Sequence, residues 1–280
     1  MWKTVIIIIA VMVVLIITAF AVFSMIFKRK VKKEAIELLK KSTKDTKDVV
    51  TEEDLIRLPE PVQKYLKYAK IIGKEKTRTV RLKQKGFFRQ KVGQKWTPLH
   101  AEQYYTTAPP SFIWFGKINF APLLSITARD MYFEGKGNML IKLLSTFTVA
   151  DAKGREMDEA SLMRYLNEMM WFPAAYLNNY VQWEGMDDKS AKATISDKGV
   201  TASAILYFNE KGELKNFVGE RFCSLTGKNE TWSTPISEYK EINGIRIPIK
   251  GEGVWNLSFG EFSYIRVEIT DIEYNNPTLY

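Results

Sequence analysis

The 280 residues are 46% hydrophobic, 26% charged and 13% aromatic, the composition of a chain that buries a core and not of a disordered or collagen-like one. One cysteine, Cys223, and one histidine, His100, exclude a disulfide scaffold, a cysteine-based structural zinc site and any metal site needing two imidazoles. Charge is unevenly spread, with 23 Lys/Arg against 9 Asp/Glu in residues 1–100 and 18 against 23 thereafter, so the basic excess belongs to the N-terminal third.

Val5 to Phe27 is a run of 23 residues without charge, Gly or Pro. As a helix it extends roughly 34 Å, enough to span a hydrocarbon core of ~30 Å. Trp2 suits one interface, and Lys28, Arg29, Lys30, Lys32 and Lys33 follow at the other. A cleavable signal peptide ending at Ala19-Phe20-Ala21 is the competing reading. The apolar run continues past that site and a basic stretch follows it, which favours an uncleaved single-pass anchor over 1–27. The bilayer, not nucleic acid, is therefore the expected partner of the cations. With five positive side chains after the helix and only Lys3 before it, the positive-inside rule assigns residues 28–280 to the cytoplasm. Export of a large domain by a signal-anchor is the alternative.

Residues 28–75 read as a basic helical neck. Lys28–Lys47 is a charged helix with a weak apolar stripe, broken at Ser42-Thr43-Lys44-Asp45. Thr51 is placed to cap a helical turn with Asp54 reaching back to it, and Pro61 opens a short helix over Val62–Tyr68. From 76 onward the period shortens to two. Thr79–Gln84, a second segment from Gly86, Leu99–Thr106, Met131–Glu134, Asn138–Val149, Ala202–Asn209 and Leu214–Phe222 read as strands. Tyr239–Ile242 and Ile245–Ile249 flank Asn243-Gly244, the dipeptide a type I′ hairpin prefers. Ile265, Val267 and Ile269 alternate with Arg266, Glu268 and Thr270, a strand with one wet face. One helix, about 157–170, interrupts the strands, with Leu162, Tyr165, Leu166, Met169 and Met170 on one side. Arg164 and Glu168 stand four apart on the other face and can pair, a contact worth only ~0.3–0.5 kcal/mol if exposed. The expected architecture is mainly β: anchor, neck, then a curved antiparallel sheet or half-barrel over 76–280 with an inserted helix.

No G-x-S-x-G elbow or Walker loop occurs. His100 and Cys223 both look like strand positions, and Asp187-Asp188 like a solvated turn. No motif asks for a cofactor or a metal. What stands out is aromatic density, which either fills the core or lines an apolar ligand cavity. Candidate ligand-binding residues are Arg164, Glu168, Trp171, Phe172, Trp183, Glu184, Arg221, Arg246, Glu252 and Trp255. A hydrolase working through two of Glu168, Glu184 and Glu252 is the rival to a non-enzymatic binding module, and a purely structural interaction domain is a third reading.

The pattern Arg164-Tyr165-Leu166-x-Glu168-x-x-Trp171-Phe172-Pro173-x-Ala175, then Trp183, Arg221, Trp232, Gly244-x-x-Ile247-Pro248-x-x-Gly251-Glu252-x-x-Trp255 and Phe262-x-Tyr264, resembles a family of uncharacterised bacterial proteins over residues 155–275. The resemblance implies an N-terminally anchored β-rich domain without assigned activity. At the level of fold it is similar to lipoprotein-carrier half-barrels, which implies a hydrophobic ligand such as an acyl chain.

Overall fold

The computed structural model describes residues 2–42, 48–121 and 124–280. A single helix, α1, runs unbroken over Trp2–Lys40. It is long and apolar enough to cross a membrane, and its apolar window is wholly unburied. The expected break at Ser42–Asp45 and the expected helix end at Lys47 fall mostly on 43–47, outside the described residues. A 3-10 turn at Glu53–Leu55 and helix α2, Glu60–Tyr68, follow. The Thr51 backbone N–H and hydroxyl both reach Asp54 Oδ2, at 2.9 and 3.3 Å, as the capping pattern predicts.

The remainder is one antiparallel sheet. Its strands are β1 Thr79–Phe88, β2 Thr97–Thr107, β3 Pro110–Ala121, β4 Leu124–Phe133, β5 Lys136–Leu143, β6 Phe147–Ala152, β7 Val181–Gly185, β8 Ser190–Asp197, β9 Val200–Phe208, β10 Leu214–Cys223, β11 Lys228–Ser233, β12 Ile236–Ile242, β13 Ile245–Leu257 and β14 Gly260–Tyr274. The order across the sheet is β6-β5-β4-β3-β2-β1-β14-β13-β11-β10-β9-β8-β7, with β12 added to β13. The sheet curves into a half-barrel around the inserted helix α3, Arg155–Glu168. Two 3-10 turns, Met169–Trp171 and Pro173–Leu177, carry the chain from α3 to β7.

The period-2 alternation predicts most of these strands, and Asn243 and Gly244 take the positive φ values, 55° and 75°, that the type I′ turn needs. Two differences have clear causes. The segment read as Asn138–Val149 is two strands, because Leu144 and Ser145 turn the chain at φ 51° and 57° without a Gly or Asn to signal it. Strand β3 went unread because it is buried on both faces over Ser111–Trp114, so its apolar residues do not alternate.

The expected neck does not stand apart from the sheet; it is divided between the sheet's two faces. On the inner face, Val50, Leu55, Val62, Tyr65, Leu66, Ala69 and Ile71 join the main core with α3 and the inward strand residues. On the outer face, Phe27, Val31, Ala35, Leu38 and Leu39 of α1 pack on Tyr104, Ile113 and Leu140. Val31, Ala35, Leu38 and Leu39 belong to the weak apolar stripe read from the sequence, whereas its fifth member, Ile36, is exposed. Lys28, Arg29, Lys30 and Lys33 remain exposed on the far side of the helix.

Candidate functional site

Helix α3 lies in the concavity of the sheet; Arg155 and Glu156 at its start are exposed, but its C-terminal half is enclosed, so Arg164 and Glu168 meet protein. Arg164 Nη1 donates to Asp130 Oδ2 of β4 at 2.6 Å, and Arg164 Nε donates to Glu168 Oε1 at 2.8 Å. Gln103 Nε2 and the Tyr105 hydroxyl, both from β2, donate to Glu168 Oε2 at 2.7 and 3.0 Å. The guanidinium stands 5.1 Å from the ring centroids of both Phe112 and Trp114, and Trp114 Nε1 donates to Gln84 Oε1 at 2.9 Å.

Burial pushes the Glu168 carboxyl above the usual carboxylate range, against the opposing pull of Arg164. Burial also pulls the Arg164 guanidinium down, but Glu168 and Asp130 outweigh it and hold the proton more firmly than in free arginine. The pair expected at 164 and 168 forms, and it is a buried tie between α3, β2 and β4. Asp130 and Gln103 are fully buried.

The aromatic residues expected to line a cavity fill one another's space. The Phe172 ring lies 4.7 Å from that of Tyr105 and 5.8 Å from that of Tyr165. Trp183 packs on Tyr176 at 5.5 Å and its Nε1 donates to the Tyr176 carbonyl at 3.2 Å. The Trp171 carbonyl accepts the Tyr274 hydroxyl at 2.8 Å. Arg221 stacks 4.8 Å from Trp232 and 5.8 Å from Trp255 beside a cleft of about 240 Å³ that Glu156, Glu159 and Asn229 share. Glu184 is exposed, 3.9 Å from Lys192. Arg246 lies over the Tyr68 ring at 4.8 Å. Glu252 is on the outer face, paired with Arg266 at 3.2 Å and accepting from the Ser263 hydroxyl at 2.7 Å. The ten expected residues therefore do not converge on one site, and Glu168 and Glu252 lie on opposite faces of the sheet, so they cannot act as paired carboxylates.

A larger space, a groove of about 820 Å³, opens on the outer face across β2, β1, β14, β13 and β12. Its position follows from register. Leu99, Gly86, Val267 and Gly251 stand opposite one another in successive strands, with Ile236 next to Gly251. Leu99 and Ile236 turn their side chains into the inner core, and the two glycines contribute none, so backbone forms the floor. A Cβ at Gly86 would strike the Arg266 carbonyl; glycine is what lets these two strands approach so closely.

The rows on either side form the walls. Pro98, Phe87, Arg266 and Glu252 make one; His100, Lys85, Glu268, Lys250 and Ser237 make the other. Lys85 and Glu268 are 3.3 Å apart, and Lys250 reaches Glu238 at 2.6 Å. Trp96, in the β1–β2 connection, receives the guanidinium groups of Arg89 and Arg266 at 4.4 and 4.5 Å from its ring. His100 is a strand residue as expected, but it is exposed on this wall, whereas Cys223 is buried. The groove joins exposed apolar surface at Phe87 to cations and carboxylates along its edges, a combination suited to a ligand with an apolar body and a charged end. Of its residues only Glu252 was expected from sequence; the alternation Lys83-Lys85-Phe87 was the available signal. Among the described residues, no three His, Cys, Asp or Glu side chains group as a metal ion would require.

A model of a family of unknown function, DUF6544, matches residues 48–267, which meets the expected resemblance and carries it further toward the N-terminus. No curated protein matches the chain. Among solved structures, a LolA superfamily protein from Nitrosomonas europaea is similar at TM-score 0.40 and 11% identity, covering 77% of this chain and 94% of that one. A DUF1329 family protein from Desulfovibrio piger is similar at TM-score 0.43 and 11% identity, covering 77% and 92%.

Proposed function

This chain belongs to the DUF6544 family of unknown function, and from that premise we propose that it is a membrane-tethered, non-catalytic binding module for an amphipathic, lipid-like ligand. The observation that carries the reading is the outer groove, whose exposed Phe87 and backbone floor are rimmed by Lys85, His100, Lys250 and Arg266. The concavity where an acyl chain was first expected is occupied by α3 and its aromatic neighbours, so the open groove is the better ligand site. Arg266, held between Trp96 and Glu252, is positioned to meet a negatively charged headgroup. In this reading α1 anchors the chain, residues 28–280 lie on the cytoplasmic side, and Lys28, Arg29, Lys30, Lys32 and Lys33 meet anionic lipid, each cation gaining about 1 kcal/mol near the surface.

Native mass spectrometry of the full chain released from mild detergent tests the groove. Wild type is expected to retain a lipid-sized adduct that Phe87→Asp loses; equal adducts, or none on either protein, would overturn the reading. A C-terminal topology reporter tests the side, and an extracytoplasmic signal from wild type would reverse the assignment.

A further inference from the structure

We propose that the sheet does not hang below its anchor but enters the bilayer beside it, through the β5–β6 hairpin and the adjoining start of β4. This rests on the reading of α1 as the membrane anchor. The evidence is where the helix and the sheet part company. The first charges after the apolar run are Lys28 and Arg29, which set the headgroup level. Contact with the sheet continues past that level. The Phe27 ring is buried against Phe115, with centroids 5.8 Å apart. Two turns further into the apolar run, Phe20 meets Phe147 edge-on at 6.3 Å. Seven residues at ~1.5 Å each put Phe20, and with it Phe147, about 10 Å deeper than Phe27. That depth reaches the boundary between headgroups and acyl chains.

These segments have the chemistry this requires. The Leu144 N–H donates to the Ser125 carbonyl at 2.8 Å, joining the β5–β6 hairpin and the start of β4 into one projection. Leu124, Phe147 and Val149 are exposed on it, at 42%, 57% and 55%, an apolar patch that, among the described residues, only Phe20 is seen to meet. Residues 118–128 and 143–150 contain no charged side chain in a chain that is 26% charged. Each run is preceded directly by a lysine, Lys117 and Lys142. The Lys142 amine lies 5.1 Å from the Phe27 ring centroid, level with the cations of α1, so the strands carry their own positive collar at the same height as the helix. The turn at the other end of β4, Glu134-Gly135-Lys136, is charged, as a water-facing end should be.

The test is depth measurement on the full chain in vesicles of phosphatidylcholine and phosphatidylglycerol. Single variants Leu124→Cys, Phe147→Cys, Lys211→Cys and Val13→Cys are labelled with an environment-sensitive fluorophore; the native Cys223 is buried and stays unlabelled. Leu124 and Phe147 are surface positions, so their replacement leaves the core intact. Lipids bearing a nitroxide on the acyl chain should quench the labels at 124 and 147 at least twofold more than the label at 211, with 13 quenched most. Labels at 124 and 147 that behave like 211 while 13 is quenched would overturn the proposal and leave the anchor standing. A label at 13 that is also unquenched would overturn both.

Discussion

The two faces of one sheet are built to opposite ends. The inner face closes over α3, α2 and a continuous aromatic core, and its charged centre pairs Arg164 with Glu168 and Asp130 inside the protein, leaving Asp130 Oδ1 without a hydrogen-bond partner among the described residues. The outer face is covered where α1 crosses β2 to β5 and where Leu279 and Tyr280 lie beside Tyr104, and across β1, β14 and β13 it shows a groove whose ion pairs stand in water. Along any one strand the two faces alternate residue by residue, so a single register assigns each side chain either to the fold or to the surroundings. Aromatic density turned out to report the first of these roles, and the wet positions of β1, β13 and β14 the second.

Breaking the inner face should be the more damaging. Arg164→Met removes the cation that, among the described residues, pairs with two buried carboxylates and is expected to cost about 3–5 kcal/mol, read from urea unfolding in detergent; a loss below about 1 kcal/mol would mean that water reaches the centre. Ala35→Leu tests the seat of α1 on the outer face. Ala35 is fully buried, so the added bulk should cost about 1–3 kcal/mol, read from urea unfolding in detergent; an unchanged stability would mean that α1 is not seated there.

Titration separates the centre from the surface more finely. Burial raises the Glu168 carboxyl, so its contribution to stability is complete below the ordinary glutamate value of 4.5 and is lost as pH rises through the raised folded value. The melting temperature of Glu168→Gln should therefore gain on that of wild type as pH increases from 4 toward neutrality, and a pH-independent difference would contradict the raised carboxyl. The smallest effect belongs to the groove: Lys85→Ala breaks a half-exposed pair with Glu268, should change stability by less than about 1 kcal/mol, and should still reduce the retained lipid seen by mass spectrometry.

Most of the fold was legible because local chemistry and tertiary role agree. The alternation in β14, the Asn243-Gly244 turn and the apolar run of α1 each carry their own explanation. Legibility fails where an element is covered on both sides. Periodicity marks one face of α3 as apolar, and the opposite face, holding Arg164 and Glu168, looks like a solvent face until the concave sheet encloses it. Strand β3 loses its alternation for the same reason, since α1 covers the face that would otherwise be polar. The groove was illegible for a different reason. It needs β1 beside β14, a pairing of Val80 with Tyr274 that no local pattern encodes.

That same pairing bears on how the chain is made. The other neighbours in the sheet are mostly hairpin partners close in sequence, so β1–β6 and β7–β14 can each assemble as they emerge from the ribosome. Strand β1 must wait for β14, the last of the described strands, to pair on that side. Throughout elongation it presents an unpaired edge, rich in lysine at Lys83 and Lys85, and that charge guards a nascent chain against wrong partners until β14 arrives to close the sheet.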